Sequence, residues 1–268
     1  MRYSIFLVLI LLPALAFPAA GQETKELELS AGGINTLLIQ GGTGYLNLNG
    51  SGNLNEIEVT ANILVEGLNP EDLRSFLENN LLLDLKKKGK RAVLRAVFLR
   101  SSRFKPSEAK IDLFIRAPKQ IDIKIDDASG PVHGRGFTGN FEVYDGSGNI
   151  VIRDIMGRVR IWDASGPINV ETITGNVDVR DGSGSIDIND IKGDVNVIDT
   201  SGSITIQDVD GYVKVSDGSG SIEIHDISKS VSILESDSGE ISIEGVKGRI
   251  IRRDTNAPDE EIDTNDVE

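Results

Sequence analysis

The chain contains no cysteine. Disulfide staples, thiol nucleophiles, cysteine metal sites and a lipid-modified cysteine anchor are all removed by that one absence. Histidine is scarce too, with only His133 and His225, and there is a single tryptophan. Aromatic residues make up 5% of the chain, so a core must be built from aliphatic side chains. Beyond residue 20 no apolar run is long enough to cross a bilayer as a helix. Positive charge is short as well: 28 Lys and Arg stand against 42 Asp and Glu, a net charge of −14. That balance argues against nucleic acid as a partner and against adhesion to anionic lipid.

What the chain does have is glycine at fixed intervals. A boundary every nine residues meets Gly130, Gly139, Gly148, Gly157, Gly166, Gly175, Gly184, Gly193, Gly202, Gly211 and Gly220. Lys229 takes the next place, and one extra residue near Asp237 shifts the frame to Gly239 and Gly248. From the unit of Phe141 and Val143 to that of Ile241 and Ile243, positions three and five are aliphatic or, once, aromatic, as in Ile186 and Ile188 followed by Val195 and Val197. Alternation of that kind describes strands with one face inward, and it excludes a helix. Two short strands per 18 residues predict an all-β fold, a single-stranded parallel β-helix (β-solenoid) whose coils stack about 4.8 Å apart.

The two corners of a coil are predicted to differ. After the first strand comes an aliphatic plug, for example Ile155, Ile173 or Ile191; after the second comes Ala164, Gly182, Thr200, Gly218 or Ser236. The tight corners read DASGP, DGSG or DTSG, so Asp145, Asp163, Asp181, Asp199 and Asp217 recur in register. Turn capping is the preferred reading of these aspartates. A calcium ladder on the same five residues is the alternative, because hard cations seek clustered oxygens.

The rest of the chain divides around this repeat. Residues 1–20 match a secretory signal peptide, with Arg2, an apolar run from Ile5 to Leu12 and small residues to Ala20. Residues 22–125 are expected to continue the sheet system in less regular coils. They are interrupted by a helix over 70–84, which starts at Asn69-Pro70-Glu71-Asp72, and by a basic segment over 86–105. In that segment Val93, Arg95, Val97 and Leu99 suggest an edge strand guarded by charge. The regular solenoid covers 126–253, and 254–268 is an acidic tail of disordered composition, expected to act as a stop against end-to-end growth of a monomer.

The outward row of the second strand of each coil carries the candidate binding surface. It holds Tyr144, Trp162, Arg180, Ile198, Ser216 and Leu234, one per coil, with Trp162 and Arg180 close enough for a cation–π contact. The first strand's outward residues look like an ordinary wetted face. Catalysis finds no footing: no polar groups are singled out to converge, the corners have no long loops, and the two histidines lie about 24 Å apart in this register. No cofactor is expected beyond the calcium alternative.

The motif from Gly184 to Gly202, GSIDINDIKGDVNVIDTSG, resembles the bacterial "putative adhesin" family of β-strand repeat proteins (domain of unknown function 4097). A looser lead-in runs from Ala109 to Gly130. The resemblance implies a β-solenoid in the envelope, placed in the periplasm, secreted or on the cell surface. An envelope protein or polysaccharide is the partner it implies. Two functions compete, an adhesin-like binding module and a structural scaffold that polymerises end to end, with a polysaccharide-acting enzyme a distant third.

Overall fold

A computed structural model describes residues 21–41, 43–99, 109–126, 129–236, 239–252 and 260–262. The signal-peptide expectation and the end of the basic segment lie outside the described residues. The N-terminal part consists of β1 (Gln22–Ser30), β2 (Thr36–Gly41), β3 (Leu46–Ser51), β4 (Glu56–Val65), α1 (Pro70–Asn80), β5 (Leu81–Lys88), β6 (Arg91–Phe98) and β7 (Ala109–Pro118). The coils then run through β8 (Asp122–Asp126), β9 (Val132–Arg135), β10 (Phe141–Asp145), β11 (Ile150–Ile155), β12 (Val159–Asp163), β13 (Ile168–Thr174), β14 (Val177–Asp181) and β15 (Gly184–Lys192). They continue as β16 (Val195–Asp199), β17 (Gly202–Val209), β18 (Val213–Asp217), β19 (Ile222–Ile227), β20 (Val231–Ser236), β21 (Ile241–Val246), β22 (Ile250–Arg252) and β23 (Glu260–Ile262).

From β8 onward the strands alternate between two sheets, and each pairs in parallel with its equivalent one coil away. Ile150 lies beside Ile168, Ile168 beside Ile186 and Val177 beside Val195. Like side chains therefore stack in columns, and β-branched residues fill the narrow space between the sheets. Ile152, Val170, Ile188, Ile206 and Ile224 form one fully buried column, and Val143, Ile161, Val179, Val197 and Val215 face it. The plug residues Ile155, Ile173, Ile191, Val209 and Ile227 are at most 1% exposed, so the unequal corners expected from the sequence are present.

Backbone geometry explains two further columns. Gly148, Gly166, Gly184, Gly202 and Gly220 adopt φ from 132° to 149°, and a Cβ on any of them would lie 1.5 to 2.2 Å from the carbonyl oxygen of the glycine one coil earlier. At the other corner Asp154, Thr172, Asp190, Asp208 and Asp226 sit at φ 53–57°, between Gly136 and Gly245 at the ends of the column. Aspartate tolerates the left-handed region, but the β-branched Thr172 does not. Thr172→Asn should therefore raise stability by about 0.5–1 kcal/mol, read as a higher midpoint in denaturant unfolding.

The N-terminal part departs from the expected run of coils. β2 and β3 do form a coil, but β1, β4 and β7 pair antiparallel, as do β5 and β6. The coil of β2 and β3 is also inserted out of sequence order, between β6 and β8 in the second sheet and between β7 and β9 in the first. The helix ends at Asn80, not at 84. The Asn79 and Asn80 side chains bond back to the carbonyls of Ser75 and Phe76. Leu81 to Leu85 then extend as β5 against β6, because their spacing suits a strand as well as a helix. β6, expected at an edge, lies between β2 and β5, and the edge is β5 with Lys86, Lys87 and Lys88.

Helix α1 buries Leu73 and Leu77, sets Phe76 against Phe98, and covers the N-terminal end of the core. At the far end, part of the tail is ordered: β23 lies antiparallel on β22, with Arg252 opposite Glu260. The extra residue that shifts the frame is located inside β20 rather than near Asp237. Val215 pairs with Ile233 and Asp217 with Ser236, so Leu234 and Glu235 share one place, a β-bulge.

Candidate binding faces

The outer face of the second sheet is built from the outward residues of β8 to β18. Pairing puts Asp126, Tyr144, Trp162, Arg180, Ile198 and Ser216 in one row. Tyr144 and Trp162 stack with ring centroids 4.4 Å apart and planes within 1° of parallel. Lys124 lies over the other face of Tyr144, 4.8 Å from its centroid. The cation on this pair is thus Lys124, not the expected Arg180. Burial works against the Lys124 charge, but Glu142 and Tyr144 outweigh it and raise its pKa. Ile198 is 40% exposed. Leu234 falls on the bulge, where the pairing shifts and Ser216 has no single partner on β20.

A charged row runs beside the aromatic one. Lys124 pairs with Glu142 at 3.2 Å, Arg160 with Glu142 at 2.9 Å, and Arg160 approaches Asp178 at 4.0 Å. Asn140, Glu142, Arg158 and Arg160 line a shallow depression of about 100 Å³. The described part of the helix and basic segment does not cover this face. β5 stands at the end of the sheet, with β6, β2 and β8 between it and β10.

The five tight-corner aspartates point inward and are at most 9% exposed. One oxygen of each of four caps its turn: Gly146 N–H donates to Asp145 and Gly182 N–H to Asp181, both at 2.8 Å, Thr200 N–H to Asp199 at 2.7 Å, and Ser219 N–H to Asp217 at 3.2 Å. The second oxygens of Asp181, Asp199 and Asp217 are buried with no hydrogen-bond partner. Burial pushes the Asp163 carboxyl up to about 6, with the Ser165 N–H opposing it and Asp145 adding to it. Asp181 is likewise raised to about 6 by burial, then by Asp163 and Asp199. Burial also raises Asp199 and Asp217. Among the described residues, no three His, Asp or Glu groups are placed to share a metal ion.

The sequence pattern did not single out a connected polar group on the first sheet. Tyr45 makes edge contacts with Phe114, at 5.9 Å between centroids, and with His133, at 5.0 Å. Its hydroxyl is 2.8 Å from His133 Nδ1 and accepts from Asn47 at 2.9 Å. These residues are brought together by the out-of-order coil, so no local pattern could announce them. Tyr212, 54% exposed with Lys229 over its ring, is a further exposed aromatic that the row assignment left out.

No family model and no curated protein matches the chain. Among solved structures it is similar to a "putative adhesin" from Bacteroides fragilis, with 13% identity, a TM-score of 0.46, and 87% of this chain and 97% of that one covered. It is also similar to a "putative cell adhesion protein" from Clostridium sporogenes, with 14% identity, a TM-score of 0.31, and 83% and 99% covered. At these scores neither match carries weight for what this chain does.

Proposed function

We propose that this chain is an exported, non-catalytic recognition module of the cell envelope, adhesin-like in role, and that the outer face of its second sheet contacts an envelope protein or polysaccharide. The observation that carries this reading is the Tyr144–Trp162 stack, fixed in register on rigid strands, with Lys124 over Tyr144 and Arg180 then Ile198 following Trp162 in the row, and left open by α1 and β5. Such a pair offers a large preorganised contact at little entropic cost. The leader-like residues 1–20 and the motif resemblance support an envelope location, in the periplasm or at the surface. Among the described residues no helix is long and apolar enough to cross a membrane. The carboxyls with raised pKa support a non-catalytic reading, because they face the interior of the corner rather than a cleft.

Trp162→Ala tests the face directly. Retention of the purified chain on isolated envelope fractions should fall by about tenfold or more, with the thermal midpoint changed little. Unchanged retention would remove this face from the proposal.

A further inference from the structure

The first sheet carries a second face that the reading above does not use. Phe114, Asn47, His133 and Val151 stand side by side on β7, β3, β9 and β11. In the next outward row stand Arg116, Asn49, Arg135 and Arg153. A row holding Phe114, His133 and Val151 thus lies about 7 Å from a row holding three arginines, across four strands that span about 14 Å. Phe114 is 42% exposed, and the three arginines are exposed.

Polar groups of both rows are tied, through Tyr45, into one directed chain. Arg135 Nε donates to Asn49 Oδ1 at 2.6 Å, Asn49 Nδ2 to Asn47 Oδ1, and Asn47 Nδ2 to the Tyr45 hydroxyl at 2.9 Å. That hydroxyl is then free to donate to Nδ1 of His133, whose pKa is lowered by burial and by Arg153. The chain fixes every member before any ligand arrives.

Its first member is the informative one. Arg116 is paired with Glu58 at 2.7 Å and Arg153 with Glu171 at 3.0 Å, whereas among the described residues no carboxylate pairs with Arg135, whose Nε donates to Asn49. With Nε held by Asn49, the edge formed by its two terminal nitrogens is left for a planar anion. On a chain of net charge −14, this guanidinium is supported by a neutral asparagine instead of an acid. By contrast, the equivalent row of the second sheet is neutralised by Glu142 and Asp178.

We infer that this face binds an acidic, carboxylate-bearing glycan, with the sugar ring packed on Phe114 and Tyr45 and its carboxylate on Arg135. The apolar C–H face of a pyranose suits an exposed aromatic ring, its hydroxyls suit Asn47 and Asn49, and a uronate carboxylate suits the forked guanidinium. The site is separate from the Tyr144–Trp162 face and stands independently of it.

The test is calorimetric titration of the intact chain with short oligogalacturonate, with its methyl ester and with poly-L-glutamate. Binding of the oligogalacturonate is expected, with the methyl ester weaker by about ten- to a hundredfold. Arg135→Gln should weaken binding to the same degree and Phe114→Ala by about tenfold. Lys192→Gln, which removes an exposed positive charge elsewhere, should leave it unchanged. Thermal melts of the variants, whose altered side chains are exposed, verify folding. No measurable binding, equal binding of the ester, or undiminished binding by Arg135→Gln would each overturn the assignment. Poly-L-glutamate binding as tightly as the glycan would overturn it in favour of an acidic polypeptide.

Discussion

Gly202→Ala should cost roughly 4 kcal/mol or prevent folding altogether, although it adds a single methyl group. The new Cβ would lie 1.6 Å from the carbonyl oxygen of Gly184, and the backbone there has φ 149°. Neither partner can yield. The carbonyl belongs to a backbone pinned by the parallel pairing of β15 with β17, and Gly184 is itself packed against Gly166. Strain at one coil is passed to its neighbours, because each coil is stable only through the coils it touches. A control separates the clash from loss of glycine's freedom. Gly67 also has positive φ, 77°, but a Cβ there meets nothing within 4 Å, so Gly67→Ala should cost only about 1 kcal/mol. Denaturant unfolding of the two variants measures the difference, and equal midpoints would refute the stacked-glycine account.

Lowering the pH from 7.5 to 5 should stabilise the fold, against the common pattern for acidic proteins. Asp163, Asp181, Asp199 and Asp217 have folded pKa values above the unfolded one, so the folded state binds protons more readily. Their contribution is fully present below the unfolded value of 3.8 and is lost as pH rises through about 6 for Asp163 and Asp181. At full strength a shift of that size is worth about 3 kcal/mol, and screening by nearby solvent cuts it to about half. Asp84 works in the opposite sense, since hydrogen bonding to Arg95 holds its carboxyl at about 2, but that contribution changes only below about pH 4. Asp181→Asn keeps an oxygen for the Gly182 N–H and removes one buried charge from the column. It should raise the unfolding midpoint at pH 7.5 by about 3–6 °C and flatten its pH dependence. Scanning calorimetry at the two pH values decides, and a midpoint that falls on acidification to pH 5 would contradict this account.

The regular coils were legible in the sequence because every step of the fold repeats its own cause. Ile186, Ile204 and Ile222 occupy one column, so a spacing of 18 residues is at once a sequence period and a pairing register. Partner choice was not legible where the repeat fails. Alternation in β4 and β7 marks them as strands but cannot say that they run antiparallel. Leu73, Leu77, Leu81 and Leu85 fit a helix throughout, yet the last two sit in a strand because β6 offers a hairpin partner. The bulge at Leu234 needed observed pairing, since an inserted residue can be assigned to any point between two intact stretches. Of the candidate face, Tyr144, Trp162, Arg180 and Ile198 stand in one row as the register required, while the role of Lys124 depended on the coil before it. Tyr45 and His133, 88 residues apart, were beyond any local pattern.

The out-of-order coil also bears on how this protein comes into being and resists force. Its strands β2 and β3 are synthesised early, but their neighbours on one side are β6 and β7 and on the other β8 and β9. This coil cannot be completed until Arg135 has emerged, so assembly cannot proceed as a simple winding from the first residue onward. The same clamp works in reverse. A pull on the N terminus can strip β1 from its edge, but it then meets a coil gripped from both sides and must break both grips together. Among the described residues the C-terminal coils follow sequence order without such a lock and can unwind one at a time.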